Sequence, residues 1–142
     1  MIFSFLLGTA FIAGGNILTA EHVVKPHTTE YVSDHIHDTA VIYMDLPQGF
    51  NTECRKLKRG EKVTVKGYPF NGYEQVYTEI ETTVISDGVE IALGRKSIML
   101  ATSLAGGFSG SPVFDSDGDV VAIVTDRLEG IDRSLASSIC RI

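Results

Sequence analysis

Ser109 sits in Gly106-Gly107-Phe108-Ser109-Gly110-Ser111-Pro112, a glycine-rich turn directly ahead of an apolar run. Glycines flanking a serine let the backbone bend tightly and aim successive N–H groups into one small volume. An oxyanion hole needs that arrangement, with donors about 2.7–3.1 Å from the developing charge. A serine hydroxyl is a weak nucleophile until a base removes its proton. The four histidines, His22, His27, His35 and His37, all precede Ser109, so the base comes from upstream. That order excludes the α/β-hydrolase arrangement and leaves His…Asp…Ser as the solution to the same geometry. His22 stands out because Ile17-Leu18-Thr19-Ala20-Glu21-His22 is a β-like run closing in a small-residue turn. Asp38 opens Asp38-Thr39-Ala40-Val41-Ile42, an acid at the mouth of another apolar strand. An aspartate there accepts the imidazole Nδ1–H, which fixes the tautomer and stabilises the imidazolium.

The elements that must hold these residues read as strands. At 142 residues the chain has the size of one compact domain, and 44% hydrophobic with 21% charged residues excludes disorder, coiled coil and collagen. Fourteen glycines punctuate short runs rich in Val, Ile, Thr, Tyr and Phe, which indicates an all-β protein. Gly14-Gly15-Asn16, Asp87-Gly88 and Asp117-Gly118 each separate two apolar runs and predict three tight hairpins. Residues 40–44, 62–67, 75–80 and 98–102 are further strands. Residues 1–15 are apolar without a basic n-region and too short to span a bilayer, so a buried β-strand is expected there rather than a signal peptide. Helix is confined to residues 20–24 and 135–142. The turn-rich stretch 68–74 divides the chain into two β subdomains, 1–68 carrying His22 and Asp38 and 69–142 carrying Ser109.

Other clusters have plainer readings. A formal charge of −6 argues against nucleic acid, which a basic groove must neutralise. Lys56, Lys58, Arg59 and Lys62 read as a solvated strand edge. His35 and His37 share a strand side but lack a third ligand, and the spacing of Asp115, Asp117 and Asp119 puts Val120 and Asp126 where a calcium loop needs Gly and Glu. No metal and no cofactor is therefore expected. Cys54 and Cys140 permit one bridge at most, and buried thiols are the default.

Three blocks carry a resemblance. Leu18-Thr19-Ala20-Glu21-His22-Val23-Val24, Asp38-Thr39-Ala40-Val41-Ile42 and Gly107-Phe108-Ser109-Gly110-Ser111-Pro112-Val113 resemble the active-site blocks of chymotrypsin-like (trypsin-fold) serine peptidases, nearest the HtrA-like bacterial and viral branches. Thr9-Ala10-Phe11-Ile12 is similar to the strand preceding the histidine block, and residues 60–69 to a stretch ahead of the second barrel. The resemblance implies two antiparallel β-barrels, here with a shortened first barrel and a short C-terminal helix. It implies Ser109 as nucleophile, His22 as base then acid, Asp38 as orienting carboxylate, and the N–H groups of Gly107 and Ser109 as oxyanion hole. Ser103 and Leu104, with Thr125, Asp126 and Arg127, would line the substrate pocket. Ser103 at its base favours small or apolar side chains, and Arg127 offers the alternative of an acidic one.

The short interval from His22 to Asp38 is a departure, implying a first barrel that is less stable or is completed by an N-terminal segment or a partner. Glu21 is a second departure: beside His22, it would raise the imidazole pKa or else face solvent. Phe108, in place of the acid that pairs with a freed N-terminus in zymogens, implies a protein active as synthesised. The expected function is a serine endopeptidase acting on peptides or proteins, of bacterial, phage or viral origin and with no compartment assigned. The alternative is a catalytically weak binding module on the same fold.

Overall fold

Leu6 and Leu7 both take positive φ, 48° and 71°, and fold the apolar N-terminus back on itself. A computed structural model describes residues 1–128 and 130–142, and it shows a hairpin where one strand was expected. Strand β1 (Ile2–Phe5) pairs with β2 (Gly8–Ala13), opposing Ile2 to Phe11 and Phe5 to Gly8. Gly14 and Gly15, with φ of 60° and 78°, then make the tight turn into β3 (Asn16–Ala20). One helical turn, α1 (Glu21–Val24), follows where residues 20–24 suggested it. Strands β4 (Val32–Asp34) and β5 (Thr39–Ile42) complete an antiparallel sheet of order β1-β2-β3-β5-β4. The shortened first barrel is thus an open five-stranded sheet with β1 and β4 at its edges.

The second half closes on itself. Strands β6 (Lys62–Gly67), β7 (Thr78–Ala92), β8 (Arg95–Leu100), β9 (Pro112–Phe114), β10 (Val120–Arg127) and β11 (Ser134–Ser138) form a six-stranded barrel of order β10-β11-β8-β7-β6-β9. Because β6 bonds to β7 and β9, the division between sheets falls between Ile42 and Lys62 rather than at residue 68. Two sequence-based elements change identity. Asp87-Gly88 is a bulge inside the continuous β7 rather than a hairpin turn, since the Asp87 carboxylate accepts the Leu57 N–H at 2.7 Å. Residues 135–142 are not a helix: Leu135 and Ala136 pair with both β8 and β10 to close the barrel, leaving one 3₁₀ turn at Ile139–Arg141. Asp117-Gly118 does turn β9 into β10, with the Asp115 carboxylate accepting the Asp117 and Asp119 N–H groups at 3.0 Å.

Apolar side chains fill two regions. Val63, Val65, Val84, Ile98, Leu100, Phe108, Val113 and Val124 pack inside the barrel. Phe11, Leu18 and Val41 of the open sheet pack against Phe114, Val120, Ile123 and Ile139 on the barrel's outer side. That second cluster docks the two sheets together. Among the described residues, no helix is long and apolar enough to cross a membrane.

Cys54 and Cys140 form a disulfide, with Cα atoms 4.8 Å apart across 86 residues of sequence, and both are exposed. The expectation of buried thiols is overturned because the segment between the sheets is registered on the barrel. Val120 N–H donates to the Asn51 carbonyl and Glu53 N–H to the Val120 carbonyl, each at 2.9 Å, which brings Cys54 beside the C-terminal turn. A cross-link spanning so long a loop restricts the unfolded chain strongly. Cys54→Ser should lower unfolding stability by about 2–4 kcal/mol. Urea denaturation of the oxidised protein and the variant measures this, and equal midpoints would mean the bridge adds no stability.

Candidate active site

His22 and Asp38 meet through a backbone device as well as a side-chain one. Asp38 adopts φ +57°, a left-handed conformation that aspartate tolerates better than most residues. Its carbonyl accepts the Glu21 N–H at 3.0 Å, and its Oδ1 accepts the His22 N–H at 2.8 Å. The Oδ2 lies 2.5 Å from His22 Nδ1. The imidazole is thereby held with Nδ1 toward the carboxylate and Nε2 outward, and its side chain is 48% exposed. The Asp38 contact raises the His22 pKa above its ordinary 6.5, and partial burial works against that rise.

Ser109 comes from the barrel. Ala105 O accepts the Phe108 N–H at 3.3 Å across a turn in which Gly107 has φ +98°, the left-handed third position of a type II turn. A Cβ at Gly107 would lie 2.4 Å from the Tyr68 carbonyl, so glycine is required there. The Gly106 carbonyl accepts Phe70 N–H and the Phe108 carbonyl accepts Ser111 N–H, both at 2.9 Å. In a trans peptide the N–H points opposite its carbonyl. The Gly107 and Ser109 N–H groups are therefore turned away from those partners, and neither donates a hydrogen bond among the described residues. Ser109 Oγ donates to the Thr125 carbonyl at 3.1 Å.

One cleft of about 230 Å³ gathers His22 and Ser109 with Leu104, Ala105, Gly106, Phe108, Val124, Thr125, Asp126 and Arg127. Leu104, Thr125, Asp126 and Arg127, four of the expected pocket residues, line this cleft. Ser103 does not: buried Leu104 faces the cleft, and the Ser103 N–H is held by Asp132 at 2.6 Å. Asp126 was expected as a pocket wall, yet its carboxylate also comes within 4.8 Å of donor atoms of His22 and Asp38. It ion-pairs with Arg95 of β8, a residue that nothing in the local sequence marked. Those three donors are engaged by one another and by Arg95, which makes the cluster a charge network rather than an open coordination site.

Two of the three remaining histidines, His35 and His37, have carboxylate partners. His35 Nδ1 lies 2.5–2.6 Å from the buried Glu21 carboxylate, and His37 Nδ1 lies 2.8 Å from Asp34. Separate carboxylates hold the two rings, and His37 is buried. Glu21 is buried rather than facing solvent, and its carboxylate is turned to His35. Its carboxyl is held below the usual range by Ser33, His35 and Tyr31, whose contacts outweigh the opposing effect of burial.

The His22–Asp38 pair has a signed pH consequence. A histidine pKa raised on folding contributes stability that is fully present below 6.5 and is lost as pH climbs through the folded value. Asp38→Asn should lower the His22 titration midpoint measured by NMR. Its stability deficit should be widest below pH 6.5 and narrow at alkaline pH. An unmoved midpoint would show that the carboxylate does not act on the ring.

A family model described as a trypsin-like peptidase domain matches residues 34–123, a span that holds Asp38 and Ser109. Among solved structures, the active form of the Rv3671c protease from M. tuberculosis is 19% identical with a TM-score of 0.78, covering 94% of this chain and 69% of that one. The HtrA-type protease AlgW with a decapeptide is 21% identical (TM-score 0.75), and a serine endoprotease from Yersinia pestis 22% (TM-score 0.72). Each aligns with 94% of this chain, which spans 48% and 53% of their lengths. No curated protein sequence matches the chain. The family model covers well over half of the residues, and the chain belongs to the trypsin-like peptidase domain family.

Proposed function

We propose that this chain is a serine endopeptidase working through His22, Asp38 and Ser109. The observation that carries the reading is the Nδ1-to-carboxylate contact of His22 and Asp38 in the same cleft as Ser109. Rotation about χ1 turns the Ser109 hydroxyl from the Thr125 carbonyl toward His22, since catalytic hydrogen bonds tighten only when substrate is bound. His22 Nε2 takes the Oγ proton as Oγ attacks the scissile carbonyl carbon, and Asp38 stabilises the imidazolium. The new oxyanion lies against the Gly107 and Ser109 N–H groups. Collapse of the tetrahedral species breaks the C–N bond, and the leaving amine takes the proton from His22. Water, deprotonated by His22, then hydrolyses the ester on Ser109 and restores the hydroxyl. Apolar Leu104, Phe108 and Val124 beside Ala105 and Gly106 suit small or apolar side chains, and exposed Arg127 supplies the acidic alternative.

The peptide-binding reading draws on one observation, the Ser109 hydroxyl resting on Thr125 rather than on His22. Labelling with a fluorophosphonate separates the two. Wild type should label and Ser109→Ala should not, with turnover of a peptide library falling on the order of 10⁶-fold in the variant. A folded wild type that never labels, or equal turnover in both, would overturn the peptidase reading.

A further inference from the structure

Arg95 opens β8 and reaches across the barrel to β10. Its Nη2 donates to Thr125 Oγ1 at 3.1 Å and pairs with the Asp126 carboxylate. Both partners touch the proposed machinery. The Thr125 carbonyl accepts Ser109 Oγ at 3.1 Å, and Asp126 comes within 4.8 Å of donor atoms of His22 and Asp38. One guanidinium, with its side chain only 20% exposed, thus stands behind both the serine and the histidine.

We propose that Arg95 and Asp126 are positioning residues of the peptidase site, an ion pair that balances the charge around His22 and anchors the segment against which Ser109 rests. The inference rests on the function proposed above and extends it to residues outside the triad. A carboxylate beside an imidazole favours its charged form, and a guanidinium opposes it. Paired, the two nearly cancel; removal of either uncovers the other. Asp126 raises and Arg95 lowers the His22 pKa, in keeping with that balance. The charged groups around His22 are Asp38 from the turn before β5, Asp126 and Arg127 from β10, and Arg95 from β8. Glu21, though adjacent in sequence, is turned to His35.

Imidazole C–H titration by NMR on the full chain reads the coupling without requiring turnover. Arg95→Gln should raise the His22 midpoint, and Asp126→Asn should lower it. The double variant should return close to wild type, because the two effects share one origin. Arg95→Lys keeps the charge and should leave the midpoint near wild type, which a purely structural role for the guanidinium would not produce. On the acid limb of kcat/KM, Arg95→Gln should lose about threefold or more, the size expected of one uncompensated nearby charge. Midpoints in folded Arg95→Gln and Asp126→Asn equal to wild type would overturn the proposal while leaving the peptidase reading intact. If Arg95→Gln does not fold, the Asp126→Asn midpoint decides alone. Moved midpoints in a protein without turnover would support the ion pair's action on His22 and overturn the peptidase reading instead.

Discussion

Thr9 makes the contact on which the candidate site depends. Its N–H donates to the Ser109 carbonyl at 2.8 Å, and its Oγ1 donates to the Gly107 carbonyl at 2.7 Å. The same Oγ1 accepts the Tyr68 N–H at 3.0 Å, while the Thr9 carbonyl accepts Thr19 Oγ1 at 2.8 Å. All of this happens at a fully buried residue of β2, where a lost partner leaves a polar group without water. The serine turn of the barrel is therefore fastened to the open sheet by hydrogen bonds as well as by apolar packing. Approach this close demands glycine on the barrel side. A Cβ at Gly110 would lie 2.0 Å from the Thr9 carbonyl, and one at Gly67 3.0 Å from Thr9 Oγ1.

From that seam the remaining geometry follows by short steps. Strand β3 pairs with β2, placing Leu18 opposite Phe11, and it ends at Ala20 immediately before Glu21 and His22. Strand β5 pairs with β3 on the other side, and Ala20 opposite Thr39 sets Asp38 beside His22. A second fastening steadies that acid: the carbonyl of neighbouring His37 accepts the hydroxyl of Ser137, which belongs to β11 of the barrel. The left-handed backbone at Asp38 costs conformational energy. Its carbonyl and both carboxylate oxygens are engaged by Glu21 and His22, so the strained conformation is held from several directions.

What the sequence revealed was what local chemistry decides. The turns at Gly14-Gly15 and Asp117-Gly118 are encoded by the residues in them, and the serine turn by its own glycines. Elements set by distant partners were misread. Asp87-Gly88 has hairpin composition, but its carboxylate is taken by Leu57, 30 residues away. Residues 135–138 have no strong preference of their own, and pairing with β8 and β10 makes them a strand. The disulfide likewise depends on how residues 51–53 lie along the barrel. Within the cleft, the triad candidates carried local signals, whereas Leu104, Thr125, Asp126 and Arg127 were expected only through the family resemblance and lined the cleft. Ser103 did not, because Asp132 draws its backbone aside. Arg95 carried no signal at all: only the closed barrel brings β8 to Asp126.

Trimming the first barrel to an open sheet removes less from the candidate site than the short His22–Asp38 interval suggests. The strands that carry it are β2, β3 and β5, and each has a hydrogen-bonded neighbour on both sides. The edges are β1 and β4, which carry none of the three triad candidates. Strand β4 still contributes indirectly, since Asp34 accepts both the N–H and the ring contact of His37 beside Asp38. The seam at Thr9 and the Asp38 clamp therefore both lie inside the open sheet, away from its edges. The distance between His22 and Ser109 is governed by the docking of β2 on the barrel rather than by closure of the first sheet.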